Sequence, residues 1–255
     1  MTRVRLLRWA AWSPGIETEN HWRRWARAPH PLEREGTAEI SFLPALQRRR
    51  CDALCRAMLH VAHACLDEGT RSEVTLVFAS RFGGFGNMVA MLEALAQGQP
   101  LSPARFSHSV HNTAAGLFSI WAGNRQASTS LAAGAGTFGF GFLEALGMLE
   151  RDPKRPVLFV SADEAVPRPM ADVADHDHGV HAVALLLGKE GRGDVLDYRL
   201  ETDLEGTPRL GHPDALEFIR WYLQGEPGLR IGHPPHAWIW LRAEGSVARP
   251  SPEDQ

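Results

Sequence analysis

ASTSLAAGAGTFGFGFLEALGMLERDPKRPVLFVS, residues 127–161, is the stretch that decides the fold. It opens with a strand candidate over 127–133, which leads directly into a glycine-rich turn. A helical run then continues to Glu150, with Leu143, Leu146 and Leu149 on one side. The short apolar run over 157–161 predicts a buried strand. The stretch is therefore predicted to form a strand, a turn, a helix and a second strand.

The same alternation extends along most of the chain. Residues 16–43 are polar, rich in Trp and Arg, and are expected to be irregular. Strand–helix–strand alternation indicates an α/β fold, a mixed sheet covered by helices. We expect one domain over residues 1–245 and a disordered tail over 246–255. Further strands are predicted at 3–12, 74–79, 183–187, 195–201 and 238–242, and further helices at 44–66, 87–97, 112–121 and 213–223.

Composition limits the class of protein. The 255 residues are 44% hydrophobic and 22% charged, which is typical of a globular chain and argues against disorder. No apolar run approaches the ~18 residues that span a bilayer. Arg8 interrupts the apolar patch near the N-terminus, and no signal-peptide cleavage site follows it, so we expect a cytoplasmic protein. The three cysteines are predicted to lie in one helix as reduced thiols.

Charge is unevenly distributed. Residues 1–56 contain 11 arginines and six acidic residues, whereas the rest of the chain is acidic. The basic region includes Arg48, Arg49 and Arg50. A nucleic-acid-binding protein would show a stronger basic excess, so we expect no nucleic-acid partner. The triplet suits either an acidic protein partner or a solvated helix start.

The segment from Gly134 to Gly139 matches the GxGxxG pattern of dinucleotide-binding turns. It follows a strand, opens a helix and precedes a strand ending in Asp163 and Glu164. Two features oppose this interpretation: the preceding strand is polar, and the acidic residues come later than the ~20 residues expected. The alternative is that these glycines allow a sharp turn and close helix packing. We expect no cofactor.

A strand-to-helix turn is also a place where enzymes display a nucleophile. Here the apex residues are Gly134 and Ala135, which have neither a thiol nor a hydroxyl group. Hydroxyl side chains lie nearby, at residues 128–130 and at Thr137. No histidine or acid adjacent in sequence is placed to activate them.

Three other groups of residues could carry chemistry. Residues 175–178, Asp-His-Asp-His, together with His181, offer imidazole and carboxylate ligands for zinc or iron, but consecutive loop residues point in different directions. A solvated loop is the alternative. The cysteines with His60 and His63 could bind a metal or be buried thiols. His111 and Asn112 could be catalytic, or Asn112 could cap the following helix. We expect no metal site.

Four segments resemble β-ketoacyl synthases. Residues 4–15 (VRLLRWAAWSPG) resemble the opening strand and Ser-Pro-Gly turn of that family, and residues 78–87 (FASRFGGFGN) resemble its Gly-Gly-Leu segment. Residues 107–116 (SHSVHNTAAG) are similar to the Val-Asn-Met-Xaa-Ala-Gly helix, and residues 179–188 (GVHAVALLLG) to a Gly-rich strand. The likeness covers most of residues 1–200. It is closest to the short chain-length factors of aryl-polyene and xanthomonadin-type pigment clusters.

The resemblance implies the N-terminal half of a thiolase-like fold without the catalytic groups. The nucleophilic cysteine of ketosynthases aligns with Gly134, or with Ala135 in a register shifted by one, in a turn that ends at Gly136. The two histidine motifs of the second half have no match after residue 200. The resemblance therefore implies an inactive subunit that pairs with an active β-ketoacyl-ACP synthase.

In such a pair, the glycine turn and its helix would shape the partner's acyl tunnel. The length of the acyl chain would be set by Phe138, Phe140 and Phe142, unless these side chains are ordinary core. The tunnel or the interface would also contain His111 and Asn112. Arg48, Arg49 and Arg50 would contact an acyl carrier protein. The first half of a thiolase-like fold, when it stands alone, exposes apolar surface that the second half would bury. Residues 200–245, with three tryptophans, could cover that surface. Two alternatives to this function are an active enzyme, either a hydrolase or a dinucleotide oxidoreductase, and a self-assembling scaffold.

Overall fold

Within the described part of the chain, eight strands form one mixed sheet in the order β3-β2-β4-β5-β1-β6-β8-β7. The computed structural model describes residues 1–167, 170, 178–202 and 210–243. β2 pairs in parallel with β3 and β4, and all the other pairs are antiparallel. The predicted mixed α/β sheet is therefore confirmed. The strands are β1 (Thr2–Trp12), β2 (Thr75–Ala79), β3 (Ser128–Leu131), β4 (Val157–Asp163), β5 (His181–Gly188), β6 (Asp194–Thr202), β7 (Gly228–His233) and β8 (His236–Arg242).

Helices cover both faces of the sheet. One core contains the inner sides of α1, α7 and α8, and the other contains α3 and α6. Among the described residues, no helix has both the length and the apolar character needed to cross a lipid bilayer. The helices are α1 (Glu19–Arg27), α2 (Ala45–Arg48), α3 (Ala53–Ala64), α4 (Phe85–Ala96), α5 (Pro103–Ser107), α6 (Thr113–Ala122), α7 (Thr137–Arg151) and α8 (Asp214–Gln224).

Two predictions in the first third of the chain were wrong. The segment expected to be irregular contains α1, which begins where Thr18 accepts a hydrogen bond from the His21 amide. Trp22 and Trp25 belong to α1, and both are buried. Because they are three residues apart, they lie on the same side of the helix and form its apolar side. The single helix predicted over 44–66 is two helices, because Asp52 caps the second one.

The C-terminal part extends the sheet and covers one face of it. α8 packs against α1, and β7 and β8 form a hairpin around Pro234 and Pro235, with β7 not predicted from the sequence. The indoles of Trp221, Trp238 and Trp240 are all buried in this region, as expected of a cover. The predicted tail, 246–255, lies outside the described residues.

The Trp238 side chain packs on the N-terminal half of α7, where the helix presents glycines. A Cβ atom at Gly136 would lie 2.5 Å from the indole, and one at Gly139 would lie 2.3 Å from it. These distances are far shorter than a van der Waals contact, so only glycine allows β8 and α7 to approach this closely.

Substituting two glycines of α7 tests this packing. We expect Gly139→Ala to destabilise the fold by about 1–3 kcal/mol, because the new methyl overlaps the indole. Gly147→Ala is the matched control, since nothing lies within 4 Å of a Cβ there. It should stabilise the helix by up to ~1 kcal/mol. Urea unfolding of the two variants measures both effects, and equal stabilities would refute the packing argument.

Candidate functional site

The turn between β3 and α7 is the predicted strand-to-helix turn. Gly134 has φ +58°, a left-handed conformation that favours glycine. The Thr137 hydroxyl donates a hydrogen bond to the Gly134 carbonyl (2.7 Å) and accepts one from the Ala133 amide (3.0 Å). This hydroxyl therefore holds the turn together, and the apex itself is bare backbone and one methyl group.

A cavity of about 90 Å³ opens beside the bare turn. Gly134 and Ala135 form one wall, and the end of β4, the start of β5 and the start of α8 form the others. His233 Nε2 lies 2.9 Å from an Asp214 carboxylate oxygen across this cavity. His181 lies opposite Asp163 in the register of the antiparallel pair β4–β5. The sequence analysis considered His181 and Asp163 in other roles, but it missed His233 and Asp214, because no local pattern shows how α8 meets β7.

The two acids at the end of β4 hold the neighbouring loop. Asp163 Oδ1 accepts hydrogen bonds from the Ser80 hydroxyl and the Arg81 amide, both at 2.8 Å. Glu164 accepts one from the Gly86 amide, also at 2.8 Å. Burial raises the pKa of both carboxyl groups, and that of Glu164 to about 7. The acids therefore anchor the loop over 80–86, from which α4 begins.

The dinucleotide interpretation of Gly134–Gly139 does not fit this arrangement. The side of α7 that carries Gly136 and Gly139 is covered by the Trp238 indole. The acids expected to bind a ribose are occupied by loop hydrogen bonds. The alternative, that the glycines allow a sharp turn and close packing, accounts for the observed contacts.

The three phenylalanines of α7 have different surroundings. Phe142 is fully buried between Tyr198 and Trp240. Phe138 is buried too, but it also borders the cavity. Phe140 is half-buried and meets Trp238 edge-on. All three contribute to packing, and their role in setting chain length stays a prediction.

His111 and Asn112 lie just before α6, and both are exposed. His111 Nε2 is 2.9 Å from the Ser80 carbonyl oxygen, so this ring contacts the loop over 80–86. Asn112 occupies the N-cap position of α6, but its side chain makes no capping hydrogen bond. Asn112 is therefore the N-cap residue, as the sequence allowed, but its side chain does not cap the helix; the neighbouring Thr113 hydroxyl donates a hydrogen bond to the Val110 carbonyl oxygen (2.8 Å).

The basic triplet does not act as a unit. Arg48 donates hydrogen bonds to the Ser41 and Leu43 carbonyls at 3.1 and 3.0 Å, so it has a structural role. Arg49 and Arg50 are exposed. A contact of Arg48, Arg49 and Arg50 with an acyl carrier protein stays a prediction.

The candidate metal ligands are only partly described. Residues 175–177 of the Asp-His-Asp-His segment lie outside the described residues, and His178 and His181 border the cavity. Within the described ranges, no three His, Cys, Asp or Glu residues are grouped so that they could hold a metal ion. Cys51 precedes α3, so the prediction that all three cysteines share one helix was wrong.

These features define an α/β domain whose strand-to-helix turn has no thiol or hydroxyl group at its apex. The profile of the β-ketoacyl synthase N-terminal domain matches residues 22–241, and the chain belongs to that family. The fold is that of the N-terminal half of a ketosynthase, as predicted. A search of curated protein sequences found no match.

Several solved structures are similar. A chain of the ketosynthase ApeO in complex with its chain length factor ApeC, from Xenorhabdus doucetiae, is 27% identical, with TM-score 0.79; the similarity covers 95% of this chain and 100% of that one. The ishigamide ketosynthase/chain length factor is 16% identical, with TM-score 0.60, over 80% of this chain and 68% of that one. AntDE:AntF, a type II PKS acyl-carrier protein in complex with its ketosynthase, is 13% identical, with TM-score 0.62, over 79% and 70%.

The raised pKa of Glu164 predicts a pH-dependent stability. The folded carboxyl group has a pKa of about 7 and the unfolded one about 4.5. Between these values the folded chain binds more protons, so stability falls as pH rises from about 4.5 to about 7. Glu164→Gln keeps an oxygen for the Gly86 amide and removes the titration. Above pH 7 we expect this variant to be more stable than the wild type by about 1–3 kcal/mol, since one pKa unit corresponds to ~1.4 kcal/mol.

Urea unfolding at several pH values measures this difference. Asp52 and Asp163, whose pKa values are also raised by burial, titrate in both proteins, so the difference isolates Glu164. Glu17→Gln at an exposed position is the control and should follow the wild type. A constant gap between wild type and Glu164→Gln from pH 4 to pH 8 would contradict the prediction.

Proposed function

We propose that this protein is a chain-length factor of aryl-polyene type, a subunit that pairs with an active β-ketoacyl-ACP synthase and shapes its acyl tunnel. The family match and the full-length similarity to a chain of a ketosynthase–chain length factor complex support a ketosynthase partner. We also propose a cytoplasmic location, which the three unpaired cysteines support.

The observation that carries this proposal is the exposed apolar side of α4. The helix is rich in apolar residues, yet none of its residues is buried. Met88, Leu92 and Leu95 are 40%, 57% and 59% exposed. Their spacing places them on one side of the helix. An amphipathic helix normally turns such a side towards its own core, so this one is suited to a partner protein.

The apolar surface continues along the chain beyond α4. The Asn87 side chain bonds the Arg105 carbonyl oxygen (3.4 Å), which links α4 to α5. We call the exposed residues of this region the apolar segment, and we propose that the ketosynthase covers it. Its members are Met88, Leu92, Leu95, Leu101, Phe106 and Val110.

Leu92→Glu tests the interface. A charge at the centre of a desolvated contact should weaken the complex by at least ~30-fold, the effect of a ~2 kcal/mol hot spot. The variant chain should fold like the wild type, because Leu92 contributes nothing to either core. The loss of affinity is measured by co-expression with a ketosynthase encoded beside this protein, followed by size exclusion and titration calorimetry.

Leu200→Glu is the matched control, since Leu200 is a 39% exposed leucine on β6. It should bind the ketosynthase normally. A Leu92→Glu subunit that binds as tightly as the wild type would refute the interface. A stable homodimer that ignores the ketosynthase would refute the proposed function and favour the self-assembling scaffold.

The bare turn supports a second part of the proposal, that the subunit does not form an acyl-enzyme. Neither Gly134 nor Ala135 offers a nucleophile. Condensation also needs groups that assist decarboxylation and stabilise the oxyanion. Two of the cavity histidines lie beside an acid of this chain: His233 beside Asp214, and His181 beside Asp163.

Ala135→Cys tests this inactivity without backbone strain, because residue 135 already has a Cβ atom. We expect the new thiol to be alkylated, since Ala135 borders the cavity. We expect neither this variant nor the wild type to condense labelled acyl carrier proteins alone. Mass spectrometry of the peptide around residue 135 and product analysis give the two readouts. Turnover by either protein without a ketosynthase would overturn the proposal and favour the alternative that the chain is an active enzyme.

A further inference from the structure

A second cavity, of about 470 Å³, lies where β1 extends beyond β6. β1 runs to Trp12, but its pairing with β6 stops at Leu6, which lies opposite Asp194, the first residue of β6. Residues 7–12 therefore have no partner in β6, and α1, α8 and the end of β8 complete the walls. This space is large enough for a small organic molecule, and it shares no lining residue with the cavity beside the bare turn.

Charged side chains of both signs line this second cavity. They are Arg8, Arg23, Arg242, Glu19 and Asp194. Arg8 donates through both Nη atoms to the carboxylate of Asp67, which lies outside the lining, at 2.7 and 2.8 Å. The other four charges are two positive and two negative. A ligand that carries one charge of each sign therefore complements these walls better than an ion of a single sign.

Some polar atoms of the charged side chains are not used within the protein. Arg23 Nε and Nη2 both donate to Glu19 Oε1, at 2.9 and 2.6 Å. Arg242 donates through Nε to the Glu226 carbonyl oxygen (3.2 Å) and through Nη2 to the Tyr222 carbonyl oxygen. Within the described ranges, the Nη1 atoms of Arg23 and Arg242 and Oε2 of Glu19 make no hydrogen bond to the chain. The lining therefore retains N–H donors and a carboxylate oxygen.

Apolar side chains border the same space. Trp9 is half-buried and meets the Tyr222 ring edge-on, with the ring centroids 6.5 Å apart. The Tyr222 hydroxyl donates a hydrogen bond to Asp194, which fixes the position of this ring. Leu223 follows Tyr222 in α8 and is also half-buried. An apolar group of a ligand would thus lose its contact with water beside the charged side chains.

We propose that this second cavity binds a free α-amino acid with an apolar side chain. The carboxylate of the amino acid accepts hydrogen bonds from Nη1 of Arg23 and of Arg242, since guanidinium groups are well suited to carboxylates. Its ammonium group donates to Oε2 of Glu19. Its side chain lies against Trp9 and Leu223. The amino acid therefore satisfies the remaining donors and the remaining acceptor together.

The experiment titrates the full chain with L-leucine and follows binding by ligand-observed NMR. We expect saturable binding. Two analogues each lack one charge: 4-methylpentanoate has no ammonium group, and isopentylamine has no carboxylate. Each should bind at least ~10-fold more weakly than L-leucine, because each loses a hydrogen bond between charged groups.

Two substitutions in α1 test the two charges of the site separately. Arg23→Met should weaken L-leucine binding by at least ~10-fold. Glu19→Gln should also weaken L-leucine binding, but it should strengthen the binding of 4-methylpentanoate, because it removes a negative charge from the cavity. Arg27→Met is the matched control, since Arg27 is an exposed arginine of the same helix outside the lining. It should bind L-leucine as the wild type does, and far-UV circular dichroism shows that each variant is folded.

Three results would overturn the proposal. They are a wild type without saturable L-leucine binding, a wild type that binds either analogue as tightly as L-leucine, and an unchanged L-leucine affinity in folded Arg23→Met or Glu19→Gln. The site does not rest on the proposed function, because its lining contains no residue of the apolar segment. Leu92→Glu should therefore bind L-leucine normally even where it no longer binds a ketosynthase.

Discussion

The contact between Trp238 and the glycines of α7 is the constraint on which the site depends. α7 can lie this close to β8 only because Gly136 and Gly139 leave room for the indole. The C-terminal strand pair therefore buries the same part of α7 that follows the bare turn. In this way residues more than 90 positions apart set the position of the turn, and the segment after residue 200 is part of the site as well as a cover for the sheet.

The acids at the end of β4 connect the cavity to the proposed interface. The carboxylate oxygens of Asp163 and Glu164 accept hydrogen bonds from the segment over 80–86, where α4 begins. Their burial costs free energy when they are charged, which is why their pKa values rise. The loop amides offset part of that cost. The start of α4 is therefore held by groups that also border the cavity.

Local patterns in the sequence predicted most strands and the bare turn, but not the relations between distant elements. The apolar runs of β4 and β5 and the glycines at 134–139 are local signals, and they were sufficient for the fold class. The His233–Asp214 pair depends on how α8 meets β7, which no local pattern encodes. The sequence analysis missed α1 because most of its residues are polar, and only two tryptophans mark its buried side. The exposed side of α4 has the spacing of a buried one, so the sequence could not show that it faces outward.

The size of the apolar segment indicates what the partner must supply. Met88, Leu92 and Leu95 are about half exposed, so covering them contributes about 1 kcal/mol each, since full burial of such a side chain is worth ~1.5–3 kcal/mol. The resulting ~3 kcal/mol is below the ~4–15 kcal/mol that association costs in lost freedom of motion. α4 alone therefore cannot hold a partner. If the proposed pairing forms, a stable complex needs buried surface beyond α4, which the rest of the apolar segment offers first.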